Sequence, residues 1–109
     1  MQRILIIDDE ETSLDILRQI LEIEGYGVVE AKNGQEGIEI FRKHPFDLVI
    51  TDLVMPMGDG IAVLKQAKSL YPDIGVIILT GHGGQEAAAD GQKYGAADYI
   101  RKPHDFEEL

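Results

Sequence analysis

Polar side chains that could do chemistry together follow apolar runs along the 109-residue chain. Asp8 and Asp9 follow the first run, Asp52 follows the third, Thr80 ends the fourth, and Lys102 follows the fifth. Clustered carboxylates repel one another, and a hard divalent cation such as Mg²⁺ relieves that repulsion. If the fold brought these residues together, carboxylates, a hydroxyl and an ammonium could bind a metal ion and a phosphoryl group.

The elements that must position these residues alternate between strand and helix patterns. Residues 4–7 and 76–79 are apolar without polar alternation, which is typical of strands buried on both faces of a parallel sheet. Apolar residues at three- and four-residue steps predict helices between the runs. The predicted strands are 3–7, 27–31, 47–51, 75–80 and 98–101. The predicted helices are 11–24, 35–43, 60–69 and 85–94, and a last one begins near residue 104.

This order predicts one α/β domain, a flavodoxin-like (βα)5 fold. Its doubly wound, five-stranded parallel sheet has the strand order 2-1-3-4-5. The last helix has barely begun at Leu109, so we expect that helix to be truncated and residues 1–109 to be one domain excised from a longer protein. At the local level, Thr12 or Ser13 is expected to cap the first helix and Gly25 to end it. Asn33 is read as part of a turn.

Ligands of such sheets bind at the carboxyl ends of the strands, near the point where the strand order reverses. The polar residues described above all fall at strand ends, so we expect them to share one crevice. A carboxylate can act as a nucleophile and form an aspartyl phosphate. Asp52 is the best candidate because it is alone on the central strand, and Asp8 and Asp9 would then hold the metal ion.

Composition excludes several classes of protein. The chain has no cysteine, so disulfides and thiolate metal sites are excluded. The longest apolar runs are far too short to span a membrane, and no signal peptide is visible. The formal net charge of −10 disfavours nucleic acid or an anionic membrane as a direct partner of this domain. We therefore expect a cytoplasmic, folded, acidic domain.

As a set, the motifs resemble those of the receiver domains of two-component response regulators. The matching residues are Asp8-Asp9, the stretch from Asp52 to Pro56 with Gly60, Thr80-Gly81, and the stretch from Asp98 to Pro103. The resemblance covers essentially the whole chain, in order and at family-like spacing.

The resemblance implies a role for each matching residue. Asp52 would be the phosphoacceptor, and Mg²⁺ would be held by Asp8, Asp9, Asp52 and the backbone carbonyl of Val54. Thr80 and Lys102 would contact the phosphoryl group, and Thr80 and Tyr99 would form the conformational switch. The Lys102–Pro103 peptide bond would be cis. Val54, which offers no side-chain hydrogen bond, and His82 would set the rate of phosphate loss, which we expect to be slow.

The resemblance also implies partners. A sensor histidine kinase or a phosphotransfer protein would supply the phosphoryl group, and an effector domain in the same protein would follow Leu109. The face formed by the fourth helix, the fifth strand and the fifth helix could mediate dimerisation. The domain would be a switch with self-catalysed phosphoryl transfer and slow autodephosphorylation, not a conventional enzyme.

Other functions compete with this one. A Mg²⁺-dependent phosphohydrolase that uses an aspartyl phosphate would need a second acid two residues after the nucleophile, and position 54 is valine. A degenerate receiver that acts only as an interaction module is the other alternative, which the intact motifs disfavour. A flavodoxin-type electron carrier is set aside because its phosphate-binding loop would here be Asp8-Asp9-Glu10-Glu11, which repels phosphate.

Overall fold

The fold is built on one five-stranded parallel sheet. The computed structural model describes residues 2–53, 55, 59–80 and 98–101, with only the backbone described for Thr80 and for 98–101. The strands are β1 (Arg3–Ile7), β2 (Gly27–Ala31), β3 (Leu48–Asp52), β4 (Gly75–Thr80) and β5 (Asp98–Arg101). Their order in the sheet is β2-β1-β3-β4-β5. The predicted flavodoxin-like order is therefore confirmed.

The three helices in the described part of the chain cover both faces of this sheet. They are α1 (Glu11–Ile23), α2 (Gly34–Lys43) and α3 (Gly60–Leu70). Side chains of α1 pack with Ile4 and Ile6 of β1, whereas α2 and α3 pack with Leu5 and Ile7. Successive side chains of a strand point to opposite faces of the sheet. The unbroken apolar run of β1 therefore serves two separate cores.

The predicted element boundaries agree with the structure to within about one residue, the usual uncertainty of helix and strand ends. The predicted strand 47–51 lies at 48–52, because Asp52 still pairs with Leu79 of β4. This shift makes Asp52 the last residue of the strand. The helix predicted at 85–94 and the one predicted near residue 104 lie outside the described residues.

Two predictions about helix ends were wrong, and one was confirmed. Neither Thr12 nor Ser13 caps α1: the helix already begins at Glu11, its N-cap is Glu10, and no side chain caps it. Asn33 is the N-cap of α2 rather than a simple turn residue, and its side chain accepts a 2.8 Å hydrogen bond from the backbone N–H of Glu36. Gly25 follows the end of α1 with a φ of 92°, the left-handed conformation that favours glycine after a helix.

Candidate functional site

The sheet register brings the carboxyl ends of β1 and β3 side by side. Ile7 of β1 pairs with Thr51 of β3. Asp8 and Asp52 are the residues that directly follow this pair, so they lie side by side at the same edge of the sheet. The first crossover runs to β2 on one side and the next returns past β1 to β3 on the other. The two aspartates therefore lie at the point where the strand order reverses, which is where ligands bind in sheets of this kind.

Four carboxylates converge at this edge. Asp8, Asp9, Glu10 and Asp52 each offer one oxygen atom, and these four atoms all lie within 4.8 Å of one another. The side chains differ in exposure: Asp8 has 0% relative accessibility and Asp52 has 6%, whereas Asp9 and Glu10 are exposed. The cluster therefore has a buried floor and an open, acidic rim.

Backbone hydrogen bonds fix the orientation of the two buried carboxylates. Oδ1 of Asp8 accepts a 3.0 Å hydrogen bond from the backbone N–H of Glu10. Oδ1 of Asp52 accepts a 2.9 Å hydrogen bond from the backbone N–H of Leu53. The peptide that follows Asp52 is held as well, because the same Leu53 N–H lies 3.0 Å from the carbonyl oxygen of Leu79. Both carboxylates are thus oriented by the chain that immediately follows them.

The electrostatics of the cluster favour a cation. Carboxylates at these separations repel one another, and burial of Asp8 and Asp52 removes solvent that would otherwise screen that repulsion. Carboxylate oxygens are the ligands that hard cations prefer. In chemistry and in spacing, the four residues form a group that could hold a metal ion.

The structure brings together the three carboxylates that the sequence predicted, namely Asp8, Asp9 and Asp52. It adds Glu10, which the sequence reading did not assign to the site. Its position directly after the aspartate pair, at the end of a predicted strand, was the available signal. Glu10 is also the N-cap residue of α1, so it belongs both to the acidic cluster and to the start of the helix.

The remaining predicted site residues are placed only in part. The backbone of Thr80 ends β4, one residue beyond the Leu79 that pairs with Asp52, and Thr80 pairs with Arg101 of β5. For Tyr99 the backbone lies within β5. Predictions for the following residues lie outside the described part of the chain: Val54, His82, Lys102 and Pro103.

Fold and site together define a class of protein, which is a flavodoxin-like α/β domain with an acidic cluster at the carboxyl ends of strands β1 and β3. Within that class, the family model described as "Response regulator receiver domain" matches residues 4–109. The chain belongs to the receiver-domain family of response regulators.

Relatives of known sequence agree with this assignment. The chain is 42% identical over 106 residues to "Transcriptional regulatory protein ZraR" of Escherichia coli (strain K12), covering 97% of this chain and 24% of that protein. It is 34% identical over 108 residues to "Sporulation initiation phosphotransferase F" of Bacillus subtilis (strain 168), covering 99% of this chain and 87% of that protein. The chain therefore spans about a quarter of the length of the first relative and most of the second.

Solved structures show the same fold. A response regulator receiver domain protein from Clostridium thermocellum superposes with a TM-score of 0.93 at 41% sequence identity, covering 100% of this chain and 88% of that one.

In the part of the chain that the structure describes, no helix is both long and apolar enough to cross a lipid bilayer.

Proposed function

We propose that this chain is a phosphoacceptor switch, and that Asp52 takes a phosphoryl group from a phosphohistidine of a sensor histidine kinase or a phosphotransfer protein. The observation that carries the proposal is the convergence of Asp8, Asp9 and Glu10 on Asp52 within 4.8 Å. A lone aspartate at a strand end would repel an incoming dianionic phosphoryl group. A cluster of carboxylates around that aspartate can bind a cation, and the cation offsets the repulsion.

The residues present fit Mg²⁺. An octahedral Mg²⁺ has ligands at about 2.1 Å, so oxygens on opposite sides of it lie about 4.2 Å apart. The 4.8 Å limit of the cluster is close to that span. We propose Asp8, Asp9 and Asp52, with the backbone carbonyl of Val54, as the protein ligands, and Glu10 as a further acidic group at the rim. Bound Mg²⁺ would supply charge neutralisation for the incoming phosphoryl oxygens.

The chain's own contribution is to hold the nucleophile. A carboxylate oxygen of Asp52 forms a bond to phosphorus while the phosphorus–nitrogen bond of the donor breaks, and the donor imidazole keeps that electron pair. The Leu53 N–H holds Asp52 Oδ1 at 2.9 Å, so the carboxylate does not have to be oriented when the donor arrives. Positioning of this kind and electrostatic stabilisation are most of what phosphoryl transfer requires.

Thr80, Tyr99 and Lys102 complete the proposal. The Thr80 hydroxyl would donate to a phosphoryl oxygen, Lys102 would pair with another, and Tyr99 would respond to the movement of Thr80. Thr80 lies on the strand next to β3, and its strand neighbour Arg101 directly precedes Lys102 in the chain, which supports both assignments. Stabilisation of one arrangement of these residues by the phosphoryl group would shift the population between two states of the domain.

We further propose that the domain acts as the input to an effector. The chain covers 24% of a relative whose name describes a transcriptional regulatory protein, which supports an effector region beyond Leu109 in the whole protein. On this proposal the receiver domain works in the cytoplasm. It is not a turnover enzyme, and the one reaction that it completes alone is the slow hydrolysis of its own phosphoryl group.

The test is phosphorylation by acetyl phosphate. Wild type, Asp52→Asn and Asp73→Asn are incubated with acetyl phosphate, either with Mg²⁺ or with EDTA, and analysed by intact-protein mass spectrometry. Asp73 is an exposed aspartate outside the cluster and serves as the matched control. We expect one hydroxylamine-sensitive phosphoryl group on wild type and Asp73→Asn with Mg²⁺, and none on Asp52→Asn or with EDTA.

Two other outcomes would contradict the proposal. If wild type takes no phosphoryl group while binding Mg²⁺, the chain is an interaction module rather than a phosphoacceptor. Sustained hydrolysis of p-nitrophenyl phosphate that depends on Asp52 would instead make it a phosphohydrolase.

A further inference from the structure

Helix α3 begins directly against the peptide that links Asp52 to Leu53. The backbone N–H of Gly60, the first residue of α3, donates a 2.8 Å hydrogen bond to the carbonyl oxygen of Leu53. Gly60 is itself buried. The first turn of α3 and the end of β3 are thus in backbone-to-backbone contact, without a side chain between them.

No side chain fits at position 60. A Cβ atom on Gly60 would overlap the carbonyl oxygen of Asp52 and would lie 2.9 Å from Cα of Leu53. Both of these are main-chain atoms, so neither can turn aside as the end of a flexible side chain could. The requirement for glycine here comes from space and not from backbone torsion, because Gly60 is not among the glycines with positive φ.

Neither of the two contacting elements can easily retreat. Strand β3 is hydrogen-bonded to β1 on one side and to β4 on the other. Helix α3 is anchored on the sheet by the buried Val63, Leu64 and Ala67, and its first turn is kept intact by the N-cap Asp59, whose side chain accepts a 2.8 Å hydrogen bond from the N–H of Ala62. The displacement caused by a Cβ atom would therefore fall on the Asp52–Leu53 peptide between them.

That peptide carries the donor that orients the proposed phosphoacceptor. The Leu53 N–H donates to Asp52 Oδ1, so a shift of the peptide moves the donor and the carboxylate together and changes their position relative to Asp8, Asp9 and the carbonyl oxygen of Leu79. We propose that Gly60 is a positioning residue for Asp52. Because Gly60 has no side chain, α3 packs directly against the Asp52–Leu53 peptide, and this contact keeps the Asp52 carboxylate in its place beside Asp8 and Asp9. This inference rests on the proposed function in one respect, that Asp52 is the residue phosphorylated.

Gly37 provides a matched control. It lies in α2 and is also buried, and a Cβ there would overlap the side chain of Ile7, with Cγ1 at 2.8 Å. Gly37→Ala therefore crowds a helix against the sheet, as Gly60→Ala does, but the atoms that the new Cβ would meet belong to the side chain of Ile7 and not to the Asp52–Leu53 peptide. Both variants should lose stability, and only Gly60→Ala should disturb the site.

The experiment compares wild type, Gly60→Ala and Gly37→Ala in three measurements. The first is the proton chemical shift of the Leu53 amide without metal, which reports its hydrogen bonds to Asp52 Oδ1 and to the carbonyl oxygen of Leu79 on the neighbouring strand β4. The second is the Mg²⁺ dissociation constant, measured by NMR titration. The third is the rate of phosphorylation by acetyl phosphate. Free energies of unfolding are measured in parallel, and if either variant is too unstable, all three proteins are compared in trimethylamine N-oxide, which favours compact states.

We expect the Leu53 amide to shift upfield in Gly60→Ala and to stay in place in Gly37→Ala. We expect weaker Mg²⁺ binding and phosphorylation slowed by roughly ten- to a hundredfold in Gly60→Ala alone, since a misplacement of about 1 Å costs up to 10²-fold. A Gly60→Ala protein that matches Gly37→Ala in all three measurements would overturn the inference. If wild type is not phosphorylated, the proposed function fails, while the amide shift and the Mg²⁺ titration still decide the role of Gly60.

Discussion

The hydroxyl Oγ1 of Thr51 donates a 3.0 Å hydrogen bond to the backbone carbonyl oxygen of Asp52, and both residues are buried. This is the same carbonyl oxygen against which Gly60 packs. The carbonyl group of the proposed phosphoacceptor is therefore held from its own strand and from α3. The main chain at Asp52 is thus as closely constrained as its carboxylate.

Replacement of Thr51 by valine should lower stability more than it lowers phosphorylation. Thr51→Val keeps the shape of the side chain and removes one buried hydrogen bond, which costs about 1 kcal/mol in the free energy of unfolding. It adds no atom near Asp52, so the rate of phosphorylation by acetyl phosphate should fall by less than that of Gly60→Ala. Urea unfolding and mass spectrometry measure the two quantities. A phosphorylation rate for Thr51→Val as low as that of Gly60→Ala, or a free energy of unfolding equal to that of wild type, would contradict the prediction.

Replacement of Asp8 by asparagine should stabilise the metal-free domain. Asp8 is fully buried, with a carboxylate oxygen within 4.8 Å of those of three other carboxylates. Like-charge repulsion for one such pair is about 3.5 kcal/mol at an effective dielectric constant near 20, and Asp8→Asn removes that repulsion. An asparagine Oδ1 can still accept the hydrogen bond that Asp8 receives from Glu10. Urea unfolding in EDTA should therefore show a higher free energy of unfolding for Asp8→Asn.

The same variant should lose most of the stabilisation that Mg²⁺ gives. A ligand that binds only the native state stabilises it by RT ln(1 + [L]/Kd), and Asp8→Asn should raise that Kd. Wild type should thus gain stability on addition of Mg²⁺ while Asp8→Asn gains little. Asp73→Asn is the control, and it should behave as wild type. An Asp8→Asn protein that is less stable in EDTA than wild type would show that like-charge repulsion does not dominate at this site.

The ion pair between Arg18 and Glu30 should contribute little, and its contribution should depend on salt. Arg18 Nη1 lies 2.7 Å from Glu30 Oε1 and ties α1 to the edge strand β2, with side-chain exposures of 38% and 31%. Partly exposed pairs contribute about 0.5 kcal/mol, so Glu30→Gln should cost about that amount at low ionic strength. The difference should disappear near 1 M salt. Glu22→Gln, which removes a longer contact of 3.5 Å to the same arginine, is the comparison, and a loss that persists in high salt would contradict an electrostatic origin.

The N-cap of α2 should matter for stability and not for the site. Asn33→Ala removes the acceptor of the 2.8 Å hydrogen bond from Glu36, which costs about 1 kcal/mol at an N-cap. Asn33→Asp and Asn33→Ser, which keep an acceptor, should restore most of it. Thermal unfolding measures the stability, and the Mg²⁺ dissociation constant should be the same in all of these proteins. A changed dissociation constant in Asn33→Ala would contradict the separation of this cap from the acidic cluster.

The sequence determined the elements and the strand ends because both depend on local patterns. Unbroken apolar runs identified buried parallel strands, and the topology rule for such sheets then predicted that Asp8, Asp9 and Asp52 would meet at one edge. The predicted order 2-1-3-4-5 and that meeting of carboxylates both agree with the structure. Helix caps were harder to predict, because the sequence between Asp8 and Ser13 offers several residues that could begin a helix, and Asn33 could begin either a helix or a turn.

Only the tertiary structure decided the contacts between elements that are distant along the chain. The place of Glu10 in the cluster depends on the path of the chain between β1 and α1, which side-chain periodicity does not encode. The contact of Gly60 with the Asp52–Leu53 peptide depends on how closely α3 packs on β3, and that separation is set by the volumes of Val63, Leu64 and the sheet residues beneath them. A glycine in the sequence permits another part of the chain to approach its backbone closely, and only the packed structure shows which atoms make that approach.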